Sequence, residues 1–123
     1  MMRIYYVTLN NADEARQISR VLLERQLAGC TNWFPITSMY RWDERIVEEA
    51  ETVLLVKTLE GYRGAIEEVI RQHISYTNFI GEIALESVNE SYLKWLNAEV
   101  PVDRKSTRLN SSHESVSRMP SSA

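Results

Sequence analysis

The sequence predicts an α+β fold, a ferredoxin-like βαββαβ sandwich with an extra C-terminal helix, and three observations carry that reading. A compact β-branched and aromatic run, Arg3 to Leu9, opens the chain. Two stretches with apolar residues at helical spacing, about Ala12 to Leu27 and Glu60 to Ile74, each stand between strand-like runs. Between these helices Cys30 to Trp42, rich in Trp, Phe, Ile, Thr, Met and Tyr, leads to the polar turn Asp43-Glu44-Arg45, after which Ile46 to Thr58 resumes strand chemistry. Two split βαβ units with antiparallel strands and helices on one face satisfy this order, and right-handed crossovers leave few alternatives.

Each element has its own local signal. The first strand ends at the turn-forming pair Asn10-Asn11. Asn11 followed three residues later by Glu14 reads as a helix cap, after which Ala15, Ile18, Val21 and Leu22 recur at helical spacing until Gly29. Cys30 to Trp42 and Ile46 to Thr58 form a long hairpin around the polar turn. Pro35 has no N–H to give a ladder, so it belongs at a bulge or on a sheet edge. In the second helix Tyr62, Ile66, Val69, Ile70 and His73 fall on one face. The fourth strand is expected over Glu82 to Val88, with Ile83 and Leu85 on one side, and Tyr92, Leu93 and Leu96 mark the closing helix. Strands usually run about 5 to 6 residues, so the hairpin is too long for a sheet of this size to pair internally. Its overhang is expected to pair with a neighbouring subunit.

Composition narrows the class of protein. The chain has 123 residues, 44% apolar and 25% charged, an ordinary globular balance. Asp103 to Ala123 contains seven Ser and no aromatic residue, whereas every Trp, Tyr and Phe lies between Tyr5 and Trp95. Two units follow, a domain over 1–102 and a Ser-rich tail over 103–123 that cannot contribute to a core. The domain carries 10 basic and 15 acidic side chains, which argues against binding to a phosphate backbone, so no nucleic-acid partner is expected. No apolar run approaches the roughly 18 residues of a membrane span, and the amino terminus lacks a secretory layout. With a single cysteine, Cys30, the expectation is a cytoplasmic protein with no membrane partner.

Several segments together resemble one family. They are Leu27-Ala28-Gly29-Cys30-Thr31-Asn32, Ile36-Thr37-Ser38-Met39-Tyr40-Arg41-Trp42 and Val53-Leu54-Leu55-Val56-Lys57-Thr58, followed by His73-Ile74-Ser75-Tyr76, Gly81-Glu82-Ile83-Ala84-Leu85 and Tyr92-Leu93-Lys94-Trp95-Leu96. In order and interval they are similar to CutA, the divalent-cation tolerance proteins, over residues 3 to 100. The resemblance implies a ferredoxin-like subunit in a very stable homotrimer, cytosolic in bacteria and linked to tolerance of copper and other divalent ions. It departs from this sequence in three places. Gly81 precedes Glu82 where the family commonly has Pro, only His73 remains of a His-His pair, and Val7 or Thr8 stands where some members have Cys. From about Asp103 onward the chain has no family counterpart, and Arg104 to Ser112 resembles translated adapter or vector sequence, so His113 carries no functional weight.

For metal, the domain offers Cys30, His73 and carboxylates, without Cys-x-x-Cys, His-x-x-x-His or His-Glu-x-x-His spacing. One chain therefore lacks the ligands for a closed site, while three-fold symmetry would bring three copies of a side chain together. Soft Cu(I) would favour Cys30 and Cu(II) would favour His73 with a nearby Glu. The alternative readings are a histidine complementing the dipole at a helix end and a cysteine acting as a small apolar residue. The resemblance also places Tyr40, Trp42, Lys57 and Glu82 near the cleft between subunits. There Lys57 and Glu82 would form an intersubunit ion pair, line a small-ligand pocket, or act as acid and base. The run Glu44, Glu48, Glu49 and Glu51 lacks the layout of a calcium loop and reads as a solvated hairpin face.

The expectation is a non-enzymatic homotrimer of divalent-metal homeostasis, with copper or another divalent cation as its ligand. The alternative is a trimeric signalling module with small-ligand pockets at the subunit clefts.

Overall fold

A computed structural model describes residues 1–101; the Ser-rich segment 103–123 lies outside the described residues. The elements are β1 (Met2–Leu9), α1 (Ala12–Glu24), β2 (Cys30–Trp42), β3 (Arg45–Leu59), α2 (Arg63–His73), β4 (Ile80–Ala84) and α3 (Glu90–Glu99). The sheet order is β2-β3-β1-β4 with every neighbouring pair antiparallel. This is the expected α+β ferredoxin-like arrangement with its added helix.

Alternation along β1 sends Tyr5, Val7 and Leu9 to the face covered by the helices, where they pack with Ala15, Ile18 and Leu22 of α1 and Ile66, Val69 and Ile70 of α2. These side chains are all buried, each worth about 1.5–3 kcal/mol for the larger aliphatic ones. At the start of α1 the Asn11 side chain accepts from the Glu14 N–H at 2.9 Å, and the Glu14 carboxylate accepts from the Asn10 N–H at 2.9 Å. The cap read from the sequence therefore forms, with the Glu arm reaching one residue further back.

The bounds of two elements differ most from expectation, and Pro35 takes one of its two expected settings. Helix α1 ends at Glu24 and not near Leu27, because Gln26 adopts a left-handed φ of 58°. The Gln26 N–H then bonds Leu23 O and the Leu27 N–H bonds Leu22 O, the paired bonds of a Schellman stop. The fourth strand covers Ile80–Ala84 and not Glu82 to Val88. Its partner β1 starts at Met2, so the ladder closes at Arg3↔Ala84 although apolar residues continue to Leu85 and Val88. Pro35 sits in edge strand β2 opposite Thr52 in an unbroken register, so of the two expected settings it takes the edge and not a bulge.

The hairpin outruns the sheet. Strand β1 pairs with β3 only from Thr52 to Leu59, so Arg45 to Glu51 have β2 on one side and no strand on the other. That overhang projects roughly 20 Å at about 3.4 Å per residue. It exposes Met39, Tyr40, Trp42 and Ile46, with Trp42 and Ile46 at 69% and 68%. Its tip is a two-residue turn, Asp43-Glu44, with both residues at positive φ (55° and 65°) and closed by the pair Trp42↔Arg45.

Candidate functional site

The six side chains singled out from the sequence fall in four places. Register decides the most consequential separation. Glu82 pairs with Tyr5 and Lys57 pairs with Ile4, and neighbouring residues of a strand point to opposite faces. Within one chain Glu82 and Lys57 therefore lie on opposite sides of the sheet and do not meet; the ion pair expected of them is one between subunits.

Glu82 belongs to a charged network at the edge of the helix-covered face. Arg3 Nε lies 3.0 Å from Glu82 Oε2, and Arg3 also contacts Glu60 at 3.1 Å. Arg63 reaches Glu82 at 3.8 Å and Glu67 at 2.8 Å, and donates to Ile80 O at 3.0 Å. Below them Tyr5 is fully buried, with Arg63 6.0 Å from its ring centre and no hydrogen-bond partner of normal geometry for its hydroxyl. Burial, then the negative charge of Glu82, pushes the Tyr5 pKa up to about 12. Arg3 and Arg63 drew no attention in the sequence, where neither belongs to a motif. Arg3 shares the Tyr5 pleat face two residues away, and that spacing was the available signal.

Lys57 and Cys30 are directly paired across β2 and β3. Helix α3 closes over them: Lys57 Nζ is 5.6 Å from the Tyr92 ring centre, and the ideal Cβ position at Gly29 is only 2.4 Å from Leu96 Cδ1. The Tyr92 hydroxyl is buried without a normal hydrogen bond, and burial followed by the adjacent Cys30 thiol pushes its pKa up to about 12. Cys30 itself is half-buried and directs its thiol toward Thr31 O at 3.8 Å. Within the chain Lys57 thus meets an aromatic face.

Tyr40 and Trp42 stand apart on the overhang, on one pleat face with Glu49 and Glu51. The Tyr40 hydroxyl hydrogen-bonds the Glu49 carboxylate, which raises its pKa, while Ser38 Oγ donates to Glu51 at 2.7 Å. The expected pocket of Tyr40, Trp42, Lys57 and Glu82 is accordingly not assembled by a single chain.

His73 ends α2 at the other end of the sheet from Cys30. Three residues later, Tyr76 donates to Glu14 at 2.6 Å beside the Leu9 end of β1, whereas Cys30 and Lys57 are level with Ile4. The carbonyl of Val69 lies 2.8 Å from His73 Nδ1 and can only accept, so Nδ1 carries a proton, and in the neutral ring the lone pair is on Nε2. An imidazole held through one nitrogen by a backbone carbonyl is the usual state of a metal-ligating histidine. It lacks companions, because no three His, Cys, Asp or Glu side chains among the described residues stand close enough to hold a metal ion. His73 and Cys30 do not fit a metal centre within one chain.

With the geometry in place, similarity to known proteins decides the family. The sequence pattern of the CutA1 divalent ion tolerance protein family matches residues 3–99. The chain belongs to the CutA1 family. The protein CutA homolog of Xenopus laevis is 38% identical over 98 residues, which span 78% of this chain and 65% of the frog protein. The divalent-cation tolerance protein CutA of Archaeoglobus fulgidus is 34% identical over 101 residues, spanning 81% of this chain and 99% of that one. In three dimensions, the divalent cation tolerance protein of Thermus thermophilus superposes with a TM-score of 0.76 at 32% identity, covering 81% and 99% of the two chains. The Archaeoglobus fulgidus structure, described as a periplasmic divalent cation tolerance protein, gives 0.75 at 32% identity, covering 79% and 96%. The CutA1 match takes in every candidate side chain from Cys30 to Glu82, and no helix among the described residues is long and apolar enough to cross a membrane.

Proposed function

We propose that this protein is a cytoplasmic, non-enzymatic homotrimer of divalent-metal tolerance that binds or senses divalent cations, copper foremost, at sites completed between subunits. The observation that carries the reading is the overhang. The edge of β3 from Arg45 to Glu51 offers unpaired backbone groups, flanked by exposed Met39, Tyr40, Trp42 and Ile46. An unpaired edge of this kind is a template for another strand, and a second copy is the partner always at hand.

The metal part of the reading rests on the family's name and on His73, whose Nε2 is free and whose ring is already oriented. One imidazole per chain makes a weak ligand, and symmetry-related copies or a neighbouring carboxylate would have to supply the rest. Within one chain Lys57 and Glu82 lie on opposite faces of the sheet, so an acid–base pair of these two would itself have to be completed between subunits. The acidic domain supports the lack of a nucleic-acid partner.

Light scattering and native mass spectrometry at micromolar protein, with and without Cu(II), test the proposal. A species of three times the subunit mass that takes up copper supports it. A monomer overturns the assembly reading, and a trimer that retains no copper, zinc or other divalent ion overturns the metal reading.

A further inference from the structure

We draw no further inference here: the strongest candidate, the exposed Tyr40 and Trp42 pair beside the carboxylates of Glu49 and Glu51 on the β2–β3 overhang, belongs to the association surface already proposed, and nothing in the structure shows what else would cover it.

Discussion

Replacing Gly29 by alanine tests how tightly α3 is docked on the sheet. A Cβ built at Gly29 lies 2.4 Å from Leu96 Cδ1 and 3.4 Å from Trp95 Cζ3, well inside the roughly 3.5–4.0 Å at which carbon atoms rest. Leu96 is fully buried, so its methyl group cannot swing into solvent and must push on the packing around it. Overpacking of this kind costs about 1–3 kcal/mol. Loss of glycine entropy from the unfolded chain returns about 0.4–1 kcal/mol. The net expectation for Gly29→Ala is a loss of about 1–2 kcal/mol. Gly64, inside α2, has nothing within 4 Å of its Cβ position, and Gly64→Ala is expected to gain about 0.5–1 kcal/mol from helix propensity alone. Guanidinium unfolding at fixed protein concentration reads both, with the slope checked for constancy. A midpoint for Gly29→Ala at or above wild type, while Gly64→Ala rises as expected, would refute the docking of Leu96 and Trp95 on Gly29.

Four further outcomes follow from the same geometry. Tyr5→Phe removes a buried hydroxyl with no normal hydrogen bond, so stability near pH 7 should change by less than about 1 kcal/mol. Because the Tyr5 pKa is raised from 10.0 to about 12, its contribution is complete below pH 10 and lost as pH climbs toward about 12; unfolding titrations should show a shallower alkaline decline in the variant, and identical slopes would contradict this. Glu44→Gly should raise the unfolding free energy by about 0.5–1 kcal/mol, since a non-glycine residue at φ 65° costs about 1–2 kcal/mol and the greater entropy of glycine in the unfolded chain takes back about 0.4–1; an unchanged value would show that the turn is not left-handed. Trp42→Ala with Ile46→Ala should weaken self-association at least tenfold in dilution series followed by light scattering, with circular dichroism unchanged. Copper binding measured by calorimetry on the chain lacking 103–123 should be largely lost in His73→Ala but kept in Glu48→Gln; equal affinity in His73→Ala would remove His73 from the site.

Periodicity located α1 and α2, each of which buries one clear face, and runs of β-branched, aromatic and apolar residues located the strands, although no residue of β2 or β4 is fully buried. Where tertiary partners or unusual turn residues set a boundary, the letters were silent. Gln26 gives no hint that it will turn left-handed, since glycine ordinarily marks that position, and the next glycine, Gly29, stands three residues later. Leu85 and Val88 continue a strand-like pattern past Ala84, but β1 is there down to its first residue: the Leu85 N–H makes a last long bond to Met2 O at 3.4 Å, and no residue of β1 stands opposite Val88. The site was less legible than the fold. Lys57 and Glu82 are complementary in charge, and only the register, one residue apart along β1, places them on opposite faces. The partners each one finds, Tyr92 for Lys57 and Arg3 with Arg63 for Glu82, lie 35, 79 and 19 residues away in sequence. No local pattern could have joined them.

The sheet order also sets a timetable for synthesis. Strand β1 leaves the ribosome first but occupies the inside of the sheet, between β3 and β4. Its pairing with β3 becomes available once Leu59 has emerged, while the neighbours of Arg3 through Val7 on the other side are Ala84 back to Ile80. Until those residues appear, the nascent chain carries an open edge formed by Ile4, Tyr5, Tyr6 and Val7, the kind of surface that draws other nascent chains into pairing. Such distant pairing is also slow to form, because the loop must close before any contact rewards it. Chains interrupted before Ile80 should therefore be the aggregation-prone products of this gene, whatever the stability of the finished fold.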